Sequence, residues 1–309
     1  MEIVYILIIA VILDLVFGEP PNALHPVFWM GGVISFLLRG SQKRSNAVQF
    51  IWGLAVTLLT IAIFVTAAFF LLKWLKGLNL IAFIIVAGVL FKTTFSLKGL
   101  WQAALKIKKL LAGEKLAEAR FELRALVSRN TAELNTPRMV SATVESVAES
   151  SCDSFFAPLL FFAILGVPGA IGYRVINTLD AMIGKHGKYE YIGKFAAKLD
   201  TVVNFIPARI AALTIILASW IWRAKARQAW QIMRRDAGKT LSPNAGWTMS
   251  AMAGALGVQL EKIGFYKLGD MQQDLNLGHI DRSIRIVVTA SLIWTAIVIA
   301  GEVIYHVYR

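Results

Sequence analysis

The chain has 309 residues, of which 57% are hydrophobic and 17% charged, with a formal net charge of +13 and a mean hydropathy of +0.63. A soluble domain of this size carries about 25% charged and 45–50% apolar residues. The surplus apolar residues gather into runs, which excludes an ordinary soluble fold. The single cysteine, Cys152, excludes an internal disulfide and a multi-cysteine metal site, and is expected to pack as a small hydrophobe. Lys and Arg flank the apolar runs instead of interleaving with exposed aromatics, so no nucleic-acid partner is expected. The positive-inside rule and anionic lipid headgroups account for most of the charge, and an anionic substrate could account for the rest.

Taken in chain order, apolar segments lie at about 3–17, 48–72, 79–97, 154–173, 205–222 and 285–305. A span needs about 20 apolar residues. The pattern therefore predicts an all-α, polytopic integral membrane protein with about four to six membrane helices, plus amphipathic and re-entrant helices. The first segment has no basic n-region and no small-residue cleavage site, and Phe17-Gly18-Glu19-Pro20-Pro21 reads as a turn. It is expected to be a retained membrane helix, not a signal peptide. Leu24–Leu38 is interrupted by Pro26, Gly31 and Gly32 and reads as re-entrant. The 98–127 stretch reads as one cytoplasmic amphipathic helix lying on the membrane surface. Its apolar residues are Leu100, Trp101, Leu105, Leu110 and Leu111, and acid–base pairs Glu118–Arg120 and Glu122–Arg124 follow.

There is no internal repeat or linker, so the chain is expected to form a single membrane-embedded domain over 1–309. Its polar catalytic stretches are 128–153, 174–209 and 240–247. If all six segments cross, one set of loops holds 21 Lys and Arg and the other 8. That asymmetry puts the long loops in the cytoplasm and the N-terminus outside. It also strands 174–204 on the far side from the other polar loops. The expectation is therefore that 154–173 and 205–222 do not cross fully, and instead wall a cytoplasm-facing cavity.

Four polar constellations could carry chemistry. Thr136 before Pro137 marks a helix start, with a capping hydroxyl. A helix from there sets Ser141, Glu145, Glu149 and Asp153 at successive i+4 steps on one face. Neighbours Val144, Val147, Ala148 and Cys152 do not form a solvent-facing set, so three aligned carboxylates ask for a cation: Mg²⁺, an arginine or a bound amine. Tyr173, Asn177 and Asp180 share a second helical face ahead of a basic turn at Lys185. Asp200 and Asn204 lie at i+4 beside Arg209, at the mouth of an apolar span. The fourth is a pair of turns: Asp14, Glu19 and His25 at the end of the first helix, and Ser242-Pro243-Asn244, whose donors suit a phosphate or an amide. No nucleotide-binding fingerprint, zinc helix or nucleophile elbow is present. These residues define a membrane enzyme or a transporter.

The same motifs, in the same order, resemble the CobD/CbiB membrane proteins of cobalamin biosynthesis, the adenosylcobinamide-phosphate synthases. The resemblance runs through Leu13-Asp14-Leu15, Gly18-Glu19-Pro20, His25-Pro26-Val27, Glu145-Ser146-Val147-Ala148-Glu149, Asp153, Asn177-Thr178-Leu179-Asp180, Asp200, Asn204-Phe205-Ile206-Pro207-Ala208-Arg209 and Ser242-Pro243-Asn244-Ala245-Gly246. It covers nearly the whole chain. Departures from the family pattern are Ser150, Ser154, Thr201, Asn130 and Glu19. The resemblance implies an ATP-dependent amide ligase of the cell membrane, with its site facing the cytoplasm. Its substrates would be the corrinoid cobyric acid and aminopropanol or aminopropanol phosphate. On that reading Glu145, Glu149 and Asp153 are the expected Mg²⁺ ligands, with Asp180 and Asp200 in support. Arg209, Lys185, Asn177, Asn204, Ser242 and Asn244 would meet phosphate or carboxylate groups, and Glu19 or His25 would take a proton from the amine. Other corrinoid-pathway membrane enzymes and a second copy of the chain are conceivable partners. A non-catalytic relative, like the AmpE-like membrane sensors, is the alternative, with a transporter third.

Overall fold

The computed structural model describes residues 1–21, 23, 25–41, 44–184, 187 and 189–308. Its helices are α1 (Glu2–Phe17), α2 (Pro26–Leu37), α3 (Asn46–Leu78), α4 (Leu80–Lys92), α5 (Leu97–Ala112), α6 (Leu116–Leu123) and α7 (Thr136–Ser151). After a π-helical turn at Cys152–Phe156 come α8 (Ala157–Ile183), α9 (Lys194–Val203), α10 (Phe205–Ile221), α11 (Ala226–Asp236), α12 (Ala245–Leu256) and α13 (Gly278–Val307). A two-stranded antiparallel hairpin lies before α13, with β1 (Leu260–Lys262) paired to β2 (Tyr266–Leu268) and Leu260 opposite Leu268.

By length and composition, four stretches can cross a bilayer: Asn46–Leu78, Leu80–Ala112, Thr136–Ile183 and Gly278–Val307. A fifth candidate is α9 with α10, which meet at a bend of 43° and so form either a broken span or a re-entrant loop. In the most apolar part of α3 only 22% of residues are buried inside the protein, and Ile51, Phe69 and Phe70 are exposed. Such a surface would drive aggregation in water, whereas hydrocarbon is its natural solvent. The chain is a multi-pass α-helical membrane protein.

Residues gather into two compact units that alternate along the sequence. The first comprises Met1–Ser96, Ala157–Asn204 and Val298–Arg309. Here α1 packs on α4 and α3 packs on α8. Phe91 stacks on Phe162 with ring centroids 4.0 Å apart. The second comprises Leu97–Phe156 and Phe205–Ile297. Its centre is α7, packed by α5 and α12, with Met139, Val140, Ala142 and Val144 fully buried.

Several local expectations change. The 98–127 stretch is two helices, because the chain breaks at Gly113–Glu114, where Glu114 takes φ 58°. Leu100 and Leu111 face inward on α5, but Leu105 is exposed. The acid–base pairs expected there are replaced by Lys106–Glu122 at 2.7 Å and Lys115–Glu118 at 3.2 Å. Residues two apart point to opposite sides of a helix, so Glu118 cannot meet Arg120 nor Glu122 meet Arg124. Leu24–Leu38 contains one short helix, α2, with Pro26 in its first turn and the His25 ring accepting the Val27 N–H. The apolar segment 154–173 is broken at Gly166, whose φ of 67° and ψ of −163° suit only glycine, two residues before Pro168.

Close helix approach in the first unit depends on glycine. A Cβ at Gly53 on α3 would lie 1.9 Å from the Ile192 carbonyl oxygen. Gly53→Ala is expected to lower stability by about 1–3 kcal/mol, the usual cost of overpacking. Gly32→Ala, where nothing lies within 4 Å, should melt no lower than the parent chain. Trp52, the neighbour of Gly53, donates its indole N–H to the Leu37 carbonyl at 2.9 Å, so tryptophan fluorescence on heating reads the transition in this unit. Coincident melts for Gly53→Ala and the parent chain would contradict this close approach.

Candidate active site

The second unit is organised around one carboxylate. Its helix, α7, begins one residue earlier than the sequence suggests: Asn135 is the cap, its side-chain oxygen accepting the Arg138 N–H at 3.1 Å, and Thr136 is already helical. The cap sets the register that turns Ser141 and Glu145 inward, where Glu145 is 1% exposed. Ser141 donates to Glu145 Oε1 at 2.7 Å. Tyr266, from β2, donates to Oε2 at 2.8 Å, and Arg129 also donates to Oε2. Arg129 gives a second N–H to the Glu261 carbonyl at 3.1 Å, and the Glu261 N–H donates back to Ser141 at 3.0 Å. One buried carboxylate therefore joins α7, the loop ahead of it and the hairpin. Burial, then the charge and hydrogen bond of Glu145, push the Tyr266 hydroxyl well above its ordinary range, so it remains a donor at any working pH.

Glu149 lies one turn further along. Its side chain is exposed to solvent. The cations whose charge reaches it are Lys262 and Arg129. Asp153 does not continue the i+4 face, because Cys152–Phe156 winds as a π-turn and shifts the register. Among the described residues no three His, Cys, Asp or Glu side chains converge as a metal cage, and Glu145 already has Arg129 as its cation.

Arg209, in the same unit, is sandwiched between aromatic rings, 3.4 Å from the Phe205 centroid and 4.5 Å from the Trp247 ring. Its Nη1 donates to Asn244 at 3.2 Å and to the Phe205 carbonyl. A guanidinium has five N–H groups, so donors remain for an anion. Ser242 accepts the N–H groups of Asn244 and Ala245 at 3.3 and 3.4 Å. The donors of the Ser242–Asn244 turn are thus partly spent on holding the start of α12.

The other expected residues belong to the first unit. Tyr173 donates to Asn204 at 2.9 Å, and Asn204 donates to Asp200 at 3.0 Å. Arg174 donates to Asn177 at 3.3 Å, while its buried Nε has no partner among the described residues. Asp180 packs against Gly184, whose Cβ, if present, would lie 2.0 Å from the carboxylate. Lys185 lies outside the described residues. At the end of α1, Lys92 bridges Asp14 at 3.0 Å and Glu19 at 2.8 Å, and the His25 Nε2 bonds Glu19 at 2.6 Å. His25 Nδ1 accepts the Val27 N–H at 3.2 Å, so neither ring nitrogen offers a free lone pair. In this arrangement the His25 ring ties Glu19 to the first turn of α2.

Sequence reasoning missed Tyr266 and Lys92 entirely. Tyr266 is 121 residues from its partner, and no local pattern links them. Lys92 was legible only as a lone charge inside an apolar run, which usually marks a functional or paired group. Arg129 directly precedes Asn130, and no local spacing ties it to Glu145, 16 residues on.

The geometry defines a polytopic membrane protein with a buried carboxylate–guanidinium centre and an open carboxylate beside it. A family model described as CobD/CbiB protein matches residues 7–304. The chain is 52% identical over 305 residues to the cobalamin biosynthesis protein CobD of Dehalococcoides mccartyi, covering 99% of this chain and 98% of that one. It is 36% identical to the probable cobalamin biosynthesis protein CobD of Methanocaldococcus jannaschii, covering 88% and 91%. It is 35% identical to that of Pyrococcus furiosus, covering 95% and 98%. No solved structure matches. The chain belongs to the CobD/CbiB family and is a protein of cobalamin biosynthesis.

Glu19 makes the first unit sensitive to acid. Burial would raise its carboxyl, but hydrogen bonds from His25, Lys92 and Ser96 and the charge of Lys92 outweigh it and hold the value at about 2, against 4.5 ordinarily. A depressed carboxyl contributes stability that is complete above the unfolded value and lost as pH falls through the folded one. Between pH 4.5 and 2, the detergent-solubilised chain should lose stability more steeply than Glu19→Gln in tryptophan-fluorescence melts. Parallel pH curves would contradict the assignment.

Proposed function

We propose that the chain is an ATP-dependent amide ligase of the cell (plasma or inner) membrane with its site open to the cytoplasm. It joins the ring D propionate carboxylate of cobyric acid to aminopropanol or aminopropanol phosphate, giving cobinamide or its phosphate. Family membership and the ordered motifs support this reading. The observation that carries it is the pair on α7: Glu145 clamped by Arg129, Ser141 and Tyr266, and Glu149 open one turn away.

A carboxylate is a poor acyl donor. Phosphoryl transfer from ATP converts it to an acyl phosphate; the amine nitrogen then attacks the carbonyl, phosphate leaves and the nitrogen gives up a proton. Each step gathers negative charge, which fixed cations and donors must offset. Arg129 and Lys262 supply positive charge around Glu149, and the free donors of Arg209 suit a phosphate or carboxylate. Mg²⁺ is usually held by one or two carboxylates together with substrate phosphates, so Glu149 can serve it without a three-carboxylate cage. Bound there, it would neutralise charge on the transferring phosphoryl group. With His25 occupied, an open carboxylate is the better proton acceptor.

A transporter reading draws on the breaks at Gly166 and between α9 and α10, since transporters bind substrate at discontinuous helices. One assay separates the two. Purified protein is given cobyric acid, ATP·Mg²⁺ and either amine, and corrinoids are followed by mass. A product with the mass of the amide is expected, and Glu149→Gln should cut turnover by roughly 10²-fold or more, the scale of losing one charge-stabilising group. No amide with either amine would overturn the ligase reading.

A further inference from the structure

A cavity of about 450 Å³ lies in the second unit, between the end of α10, the end of α12 and the first turns of α13. Its walls include Trp222, Arg223, Lys225, Arg282 and Arg285. None of these cations is paired with a carboxylate among the described residues. The Lys225 ammonium donates to the Gln272 side chain at 2.6 Å, and Arg285 lies 5.8 Å from the Trp222 ring centroid. The acid next to Arg282, Asp281, is taken by Lys108 at 2.7 Å. Four like charges around one cavity repel one another, and among the described residues no Asp or Glu lines it.

Two backbone features hold the arrangement. Arg223 has φ 51°, a left-handed conformation that is unfavourable for a non-glycine residue. Lys225 lies across Gly257, where a Cβ would come within 2.6 Å of its ammonium. Strain of this kind persists only where the surroundings over-determine it. The cavity also stands where apolar helices end. Trp222 follows α10, donates its indole N–H to Thr289 of α13 at 2.8 Å, and is half exposed, as an interfacial tryptophan is.

We infer that this cavity binds a phosphate-bearing anion, gripped by Arg223, Lys225, Arg282 and Arg285 with Trp222 as an apolar wall. Arginine meets phosphate oxygens with paired N–H groups, and the volume falls within the range of small-ligand sites. The same chemistry fits the phosphodiester of an anionic lipid headgroup and a free polyphosphate. Its lining shares no residue with the Glu145 cluster, and the inference does not depend on amide ligation.

The test uses the full-length chain in detergent micelles. One arm counts retained lipid by native mass spectrometry, with phosphatidylglycerol against phosphatidylcholine. The other titrates inorganic tripolyphosphate by calorimetry at low ionic strength. In at least one arm the phosphate-bearing anion should bind, and Arg282→Gln with Arg285→Gln should weaken it at least tenfold. Lysine at both positions, which keeps the charge but not the paired N–H groups, should bind more tightly than the glutamine variant and less tightly than the parent chain, and Lys73→Gln, remote in sequence and outside the cavity, should leave binding unchanged. The responding arm identifies the source of the phosphate. If the glutamine variant does not fold, phenylglyoxal modification of the native chain decides: ligand should protect Arg282 and Arg285. No anion preference in either arm, binding indifferent to the glutamine changes, or no protection would overturn the inference.

Discussion

Glu145 is a carboxylate with 1% exposure inside a membrane protein, and the second unit is arranged around satisfying it. Moving an isolated carboxylate out of water costs tens of kcal/mol by simple solvation arguments, so it persists only with a cation and a full set of donors. Ser141 supplies one donor from the previous turn of the same helix, Tyr266 another from the hairpin, and Arg129 the charge. Because Arg129 and Ser141 also bond the backbone of Glu261, neutralising the carboxylate fixes the hairpin against α7. The electrostatic requirement and the tertiary contact are one event.

The first unit meets the same constraint with other residues. Asp14 and Lys92 come from apolar helices and are almost fully buried, and Glu19 and His25 complete the cluster. In each unit the buried charge ties a turn to a helix. Around the Trp222 cavity, by contrast, Arg223, Lys225, Arg282 and Arg285 share one space with no carboxylate paired to them among the described residues.

The fold class was legible because 20-residue apolar runs have few physical outcomes. The face carrying Ser141, Glu145 and Glu149 followed from helical spacing, and Val144, Val147, Ala148 and Cys152 are indeed buried beside it. What failed were features set by long-range contact or backbone detail. Asn135, not Thr136, caps α7, because either side chain could serve and only the local turn chooses. Asp153 left the expected face because a π-turn intervenes, and π-turns leave no simple spacing signal. Arg209 sits with Asn244 and Trp247, 35 and 38 positions away, although adjacency suggested Asp200 and Asn204. Sequence proximity finds helix faces; it does not find cross-chain partners.

The most direct test of this account is a double-mutant cycle between Arg129 and Glu145, read as the apparent melting temperature of the solubilised chain. Arg129→Gln leaves a desolvated carboxylate without its cation and should destabilise by about 3–5 kcal/mol, the scale for breaking a buried pair. Adding Glu145→Gln to that variant removes the unmatched charge and should restore part of the loss. If the double variant were instead less stable than Arg129→Gln by the full effect of Glu145→Gln alone, the two residues would be independent, and the claim that this pair organises the unit would be wrong.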